Sequence, residues 1–167
     1  MERRSIMSLR GPLMIIVAVA LATAPGRAHA LDYSGVGGRL GYTSPDERNS
    51  TAELGVHAEL AEPGTRVSLL PSLLYWKSDA LRDVNPNLDL CYQFEPARRA
   101  HPYLGGGLGF NFLDEGRFGG SSTEAGMNLI GGVRFPGQGH NVFVEARHTL
   151  SDVSRTAVMA GITFNPR

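Results

Sequence analysis

The chain has 167 residues, with 16 Lys and Arg against 16 Asp and Glu, and a single cysteine, Cys91. One cysteine excludes a disulfide framework and a thiolate metal cluster, and balanced charge without a basic run argues against nucleic acid as a partner. Beyond residue 30 no apolar run approaches the roughly 20 residues of a spanning helix, so a mature chain that crosses a membrane must do it with strands.

The first 30 residues read as a signal peptide. Arg3, Arg4 and Arg10 give a basic start, residues 13–22 (LMIIVAVALA) an apolar core, and Ala28-His29-Ala30 the small-x-small pattern that signal peptidase accepts. Initiation at Met7 would leave that signal intact, and Arg3-Arg4 alone is a weak mark of twin-arginine export. Cleavage leaves residues 31–167, with 12 Lys and Arg against 15 Asp and Glu, a net charge of −3. That length suits one domain.

The mature part is glycine-rich and alternates with period two between turn-forming clusters. The alternation predicts eight strands, at about 33–43, 51–61, 66–76, 86–94, 102–112, 123–135, 141–149 and 154–164. The connectors EPGT (62–65), EPARRA (95–100) and PGQGH (136–140) carry Pro or Pro-Gly signals and read as compact turns. SPDERNS (44–50), KSDALRD (77–83) and LDEGRFGGSS (113–122) are longer and polar, and LSDV (150–153) is short. Pro71 falls mid-strand on the apolar parity and removes a donor, so a bulge or a displaced register is expected in the third strand. Leu70 and Leu74 then fall on its polar side.

The strands divide their residues between two faces. In the second, Ala52, Leu54, Val56, Ala58 and Leu60 oppose Thr51, Glu53, Gly55, His57 and Glu59; the fourth, sixth and eighth repeat the pattern. The apolar face carries no Asp, Glu, Lys or Arg in this register. The polar face carries Arg39, Arg66, Arg134, Arg147 and Arg155 with Glu53, Glu59, Asp89, Glu124 and Glu145, a balance that predicts mutual pairing because an isolated buried charge is prohibitively costly. His57, between Glu53 and Glu59, is expected to join that network.

Two barrels fit this pattern: a membrane barrel with apolar side chains outward, and a soluble lipocalin-like barrel with the opposite orientation. The aromatics favour the first. Tyr42, Tyr75 and Phe112 lie on the apolar face at the loop ends of strands, and Phe94, Phe135 and Phe164 at the turn ends, as two belts at membrane–water interfaces would. The expected fold is all-β, an eight-stranded antiparallel up-and-down transmembrane barrel. At this strand number side chains fill the interior.

The segments PYLGGGLGFNF (102–112), NLIGGVRF (128–135), VFVEARHTL (142–150) and VMAGITF (158–164) resemble the small eight-stranded outer-membrane barrels of Gram-negative bacteria, the OmpA/OmpX-type and outer membrane protein beta-barrel domain group. The resemblance implies placement in the bacterial outer membrane, contact with membrane lipid and lipopolysaccharide, insertion by the outer-membrane assembly machinery, a monomer, and no cofactor. Such barrels usually finish on an aromatic residue; here Asn165-Pro166-Arg167 follows Phe164.

Candidate chemistry is sparse. The glycines of 105–109 lack the spacing and the following helix of a dinucleotide fingerprint. His57, His101, His140 and His148 share no metal-ligand spacing. Glu145, His148 and Ser151 are candidates for a triad of the lipid A deacylase type, although His148-Thr149-Leu150-Ser151 displaces the His-x-Ser spacing by one and Glu145 has the opposite parity from His148. The outer loops, with Asp46, Glu47, Asp79, Asp114 and Glu115, are candidates for recognition. The expected function is a structural or surface-interaction barrel without a large pore.

Overall fold

A computed structural model describes residues 31–46, 49–79, 81–96, 99–114 and 120–166; the expected signal peptide, Glu47 and Glu115 lie outside them. The alternating segments form β1 (Asp32–Pro45), β2 (Thr51–Ala61), β3 (Val67–Ser78), β4 (Leu81–Gln93), β5 (His101–Asp114), β6 (Ser121–Pro136), β7 (His140–Leu150) and β8 (Arg155–Phe164). Each strand pairs antiparallel with the next, and β1 also pairs with β8, which closes the sheet into a barrel.

Closure gives every residue an inside or an outside, and the burial is the reverse of a water-soluble protein. Leu40, Val56, Leu129 and Val158 are more than half exposed, Leu129 at 64%. Glu53, Asp83, Asn85 and Thr43 are fully buried, at 0%. Exposed apolar area costs about 25 cal/mol per Å² in water, and a sheet with this surface is stable where hydrocarbon surrounds it and no backbone edge is left open. The soluble-barrel alternative, with apolar side chains inside, is thereby set aside. Both aromatic belts face outward: Tyr42, Tyr75 and Phe112 near the loop end, Phe94, Phe135 and Phe164 at the turn end.

The third strand carries neither the expected bulge nor a displaced register. Its pairing with β2 lapses only at Ala58 and Glu59, opposite Pro71 and Leu70, and resumes unshifted at Leu60–Leu69. Its pairing with β4 is unbroken. The missing donor of Pro71 thus costs one local gap. Pro86 opens a similar gap between β4 and β5, and there the Asn85 side chain donates to the Phe110 carbonyl at 2.9 Å in its place. The one register shift in β1–β2 lies between Tyr33 and Gly35. Leu70 and Leu74 do point inward, and both are buried.

The segment 77–83 is not a loop. β4 begins at Leu81 and Ser78 pairs with Leu81, so the hairpin turns over two residues, with Asp79 at φ +53°. The other loop-side connectors, 46–50, 115–120 and 151–154, have five, six and four residues, against five, seven and three in the turns 62–66, 94–100 and 137–139. Connector length therefore does not separate the two ends. The outward face does: at the loop end the strands run past the apolar band into Ser44, Lys77, Arg82, Asp114, Ser121 and Thr156.

Gly105, Gly107 and Gly109 sit directly opposite Cys91, Asp89 and Asn87 of β4. A Cβ on Gly107 would strike the Leu88 carbonyl oxygen and the Asp89 side chain, so these glycines let inward side chains of β4 lie over β5. The room they make serves Asp89. Gly107→Ala is expected to lower stability by about 1–3 kcal/mol through overpacking. Gly38→Ala, at an outward position with its nearest neighbour 3.7 Å away, should stay within about 0.5 kcal/mol. Urea midpoints of barrels folded into lipid vesicles compare the two.

Candidate functional site

Inward parity places Arg39, Glu53, His57, Glu59, Asp89, Arg134, Glu145, Arg147 and Arg155 inside the barrel. Arg147 donates to Asp89 at 2.8 Å and to Glu145 at 3.3 Å. Arg39 donates to the same Glu145 oxygen at 2.9 Å, and the Tyr103 hydroxyl to the other at 2.9 Å. Near the turn end Arg134 meets Glu59 at 2.7 Å; toward the loop end Arg155 is bound to Glu53.

Asparagines join these pairs. Arg155 donates to Asn85, whose amide also reaches Asn111. Asn87 donates to Asn85. Asn128 donates to Asn87 at 2.7 Å and to Asp89 at 2.9 Å, and accepts from Thr149. A single hydrogen-bonded chain thus runs from Glu53 through Arg155, Asn85, Asn87, Asn128, Asp89 and Arg147 to Glu145, crossing most of the barrel. Low-dielectric surroundings strengthen each bond while every member is paired, and make any broken member expensive.

Apolar clusters pack beside the polar chain. Trp76, Leu81 and Leu113, with Val153 against them, close the loop end. Leu74, Ala157 and Met159 form a second cluster, and Leu70, Cys91, Tyr103 and Ile130 a third. Above the first is a hollow of about 230 Å³ lined by Leu113, Ser122, Glu124 and others.

Three expected network members behave differently. Arg66 precedes β3, outside the barrel, and pairs with Glu95 at 2.7 Å with both side chains exposed. That hydrogen bond holds Glu95 below the usual carboxylate range and Arg66 above its own. The pair's small contribution is present above the unfolded carboxylate value and fades as pH falls through the lowered one. Glu124 sits at the loop-end mouth and accepts the Val153 N–H at 3.3 Å rather than an arginine. His57 bonds Thr163 at 2.8 Å and packs edge-on against Phe143, while its flanking carboxylates serve arginines. Asp83 was hidden from the sequence reading within the supposed loop; it is buried and accepts from the Trp76 indole at 3.0 Å.

The structure does not assemble Glu145, His148 and Ser151. Glu145 is inside, bonded to Arg39, Tyr103 and Arg147. His148 faces outward and bonds Thr156 at 2.9 Å, and the Ser151 hydroxyl donates to the Val153 carbonyl at 2.8 Å. Opposite faces of a sheet cannot bring a carboxylate to an imidazole. Among the described residues no cluster of His, Cys, Asp and Glu has the geometry to hold a metal ion.

No protein-family model and no curated protein matches the chain. Solved structures do: neisserial surface protein A aligns over 80% of this chain and 96% of its own, with a TM-score of 0.67 and 15% identity. The fold is that of a small outer-membrane β-barrel. A de novo designed transmembrane β-barrel aligns over 81% of this chain and 98% of its own (TM-score 0.51, 14% identity), and the outer membrane enzyme PagL over 80% and 100% (0.50, 17%). At such identities the likeness concerns the fold alone.

Arg147→Met leaves buried Asp89 without a cation and Glu145 with Arg39 and Tyr103 alone and is expected to cost about 3–5 kcal/mol, whereas Arg147→Met combined with Asp89→Leu should recover part of that loss. Urea unfolding of the two variants in lipid vesicles measures both.

Proposed function

We propose that the chain is an integral outer-membrane protein with a structural or surface-interaction role, its loop end at the cell surface and its lumen closed to solutes. The filled interior carries this reading. Where a diffusion channel needs a water-filled bore, this barrel has Arg147 and Arg155 at 2% exposure or less inside it and Trp76, Leu81 and Leu113 across its loop end. Orientation rests on the outward face: at the loop end the strands run past the apolar band into Ser44, Lys77, Arg82, Asp114, Ser121 and Thr156, as the outer ends of bacterial barrels carry the longer structure beyond the membrane. Membrane lipid and lipopolysaccharide surround the barrel, and the outer-membrane assembly machinery is the partner that inserts it, as a monomer without cofactor.

A barrel of this kind gives recognition to its loops and rims, since the polar chain and the apolar clusters beside it occupy the lumen. No catalytic role is assigned, because the carboxylate, imidazole and hydroxyl that could have formed a triad point apart.

In planar bilayers the purified protein should produce no porin-like conductance steps. In gels the unboiled protein from outer membranes should migrate differently from the boiled form. Recovery of the mature chain from periplasmic extracts without detergent would overturn the placement, and stable wide-channel conductance would overturn the closed lumen.

A further inference from the structure

Lys77 is the only lysine in the sequence. It lies on β3 one outward position beyond Tyr75, and it pairs directly with Arg82 of β4, one outward position beyond Val84. Among the described residues these two are the only Lys or Arg on the outward face of the strands. Like charges directly opposite one another across a strand pair repel, so a sheet that sets two cations there is strained unless an anion lies between them. Asp114 of β5 takes Arg82 at 2.7 Å, but from the side away from β3. The Lys77 ammonium, exposed on the other side, has no side-chain partner among the described residues; Asp79, at the hairpin tip, accepts from Asn49 at 3.4 Å.

The setting specifies the anion. Below the two cations the outward surface is apolar, with Tyr75, Val84 and Phe112 exposed beneath Lys77, Arg82 and Asp114 in turn. An anion held there has charged oxygens at the level of the aromatic belt and hydrocarbon beneath it. We propose that Lys77 and Arg82 form a docking site for the phosphate of an outer-leaflet lipid, of the glycolipid class carried by lipopolysaccharide, with its acyl chains along β3 and β4. Arg presents a planar fork to phosphate and Lys a point charge, a pairing suited to a phosphate monoester. The proposal rests on the reading that the loop end faces the cell surface.

Titration of fluorescent bisphosphorylated lipid A into the folded mature barrel in neutral detergent tests the site independently of orientation. Lys77→Gln and Arg82→Gln are each expected to weaken binding about tenfold, Lys77→Arg to retain it, and dephosphorylated lipid A to lose it. Heat-modifiable mobility verifies that each variant is folded, and with the opposing charge removed Lys77→Gln should be no less stable than the parent without lipid. Equal binding of dephosphorylated lipid, unchanged affinity in both Gln variants, or full competition by inorganic phosphate at equal phosphate concentration would overturn the site. The surface reading is tested separately by an impermeant maleimide on intact cells carrying Asn49→Cys, since Cys91 is buried. Labelling only after lysis would defeat the orientation and with it the assignment to an outer-leaflet lipid, whatever the detergent titration shows.

Discussion

Arg147 lies between Asp89 and Glu145 with all three side chains at 1% exposure, and much of the interior is arranged so that it can. Removing a guanidinium from water costs several kcal/mol that one carboxylate does not reliably return. Two carboxylates overcompensate it, and each then needs its own second donor. Glu145 finds Arg39 and Tyr103, Asp89 finds Asn128. The asparagines extend the chain of bonds until it reaches Arg155 and Glu53 near the loop end. Even so, Arg147 Nε and Nη1 and Glu53 Oε2 have no protein partner among the described residues, a kind of position that buried water commonly fills in polar interiors.

That chain of bonds needs a wall of fixed register, and closure supplies it. Because side chains alternate strictly, a slip of one residue on any strand would turn its polar set toward lipid and its leucines inward. The prolines test this. Pro71 and Pro86 each remove a backbone donor in a sheet with no edge, yet the pairing on either side of each gap keeps its register. Asn85, which serves Arg155 with its oxygen, uses its amide nitrogen to reach the Phe110 carbonyl that Pro86 leaves short. One side chain thus repairs the backbone and extends the polar chain.

Much of this was legible in the sequence. Parity alone assigned the outward aromatics and most of the inward charges, because a strand of a closed barrel has only two sides. Parity holds only within strands, and there it failed: Arg66 matched the polar face by counting but precedes the first paired residue of β3. The start of β4 was missed for a related reason. Leu81, Asp83 and Asn85 point inward and Arg82 outward, so the usual contrast of apolar and polar faces is absent just where the strand rises beyond the lipid. Which charge meets which was not legible at all. His57 meets Thr163, and Arg39 meets Glu145, across positions more than a hundred residues apart, and such meetings depend on the diameter and stagger of the whole barrel.

The same packing bears on where barrels of this size can differ in function. A neisserial surface protein, a designed barrel and an outer membrane enzyme share this architecture at 14–17% identity to the chain, so the architecture itself does not choose an activity. Inside, any new group must fit a network whose members are already paired and enclosed, and a change there is paid in stability before it yields chemistry. Outside, between the belts, hydrocarbon admits few polar groups. The rim escapes both constraints. Residues such as Lys77, Arg82 and His148 can hold charge or hydrogen-bonding capacity there without being buried, next to lipid headgroups and clear of the interior network. In a filled barrel that is the zone where substitution can alter recognition while leaving the fold intact.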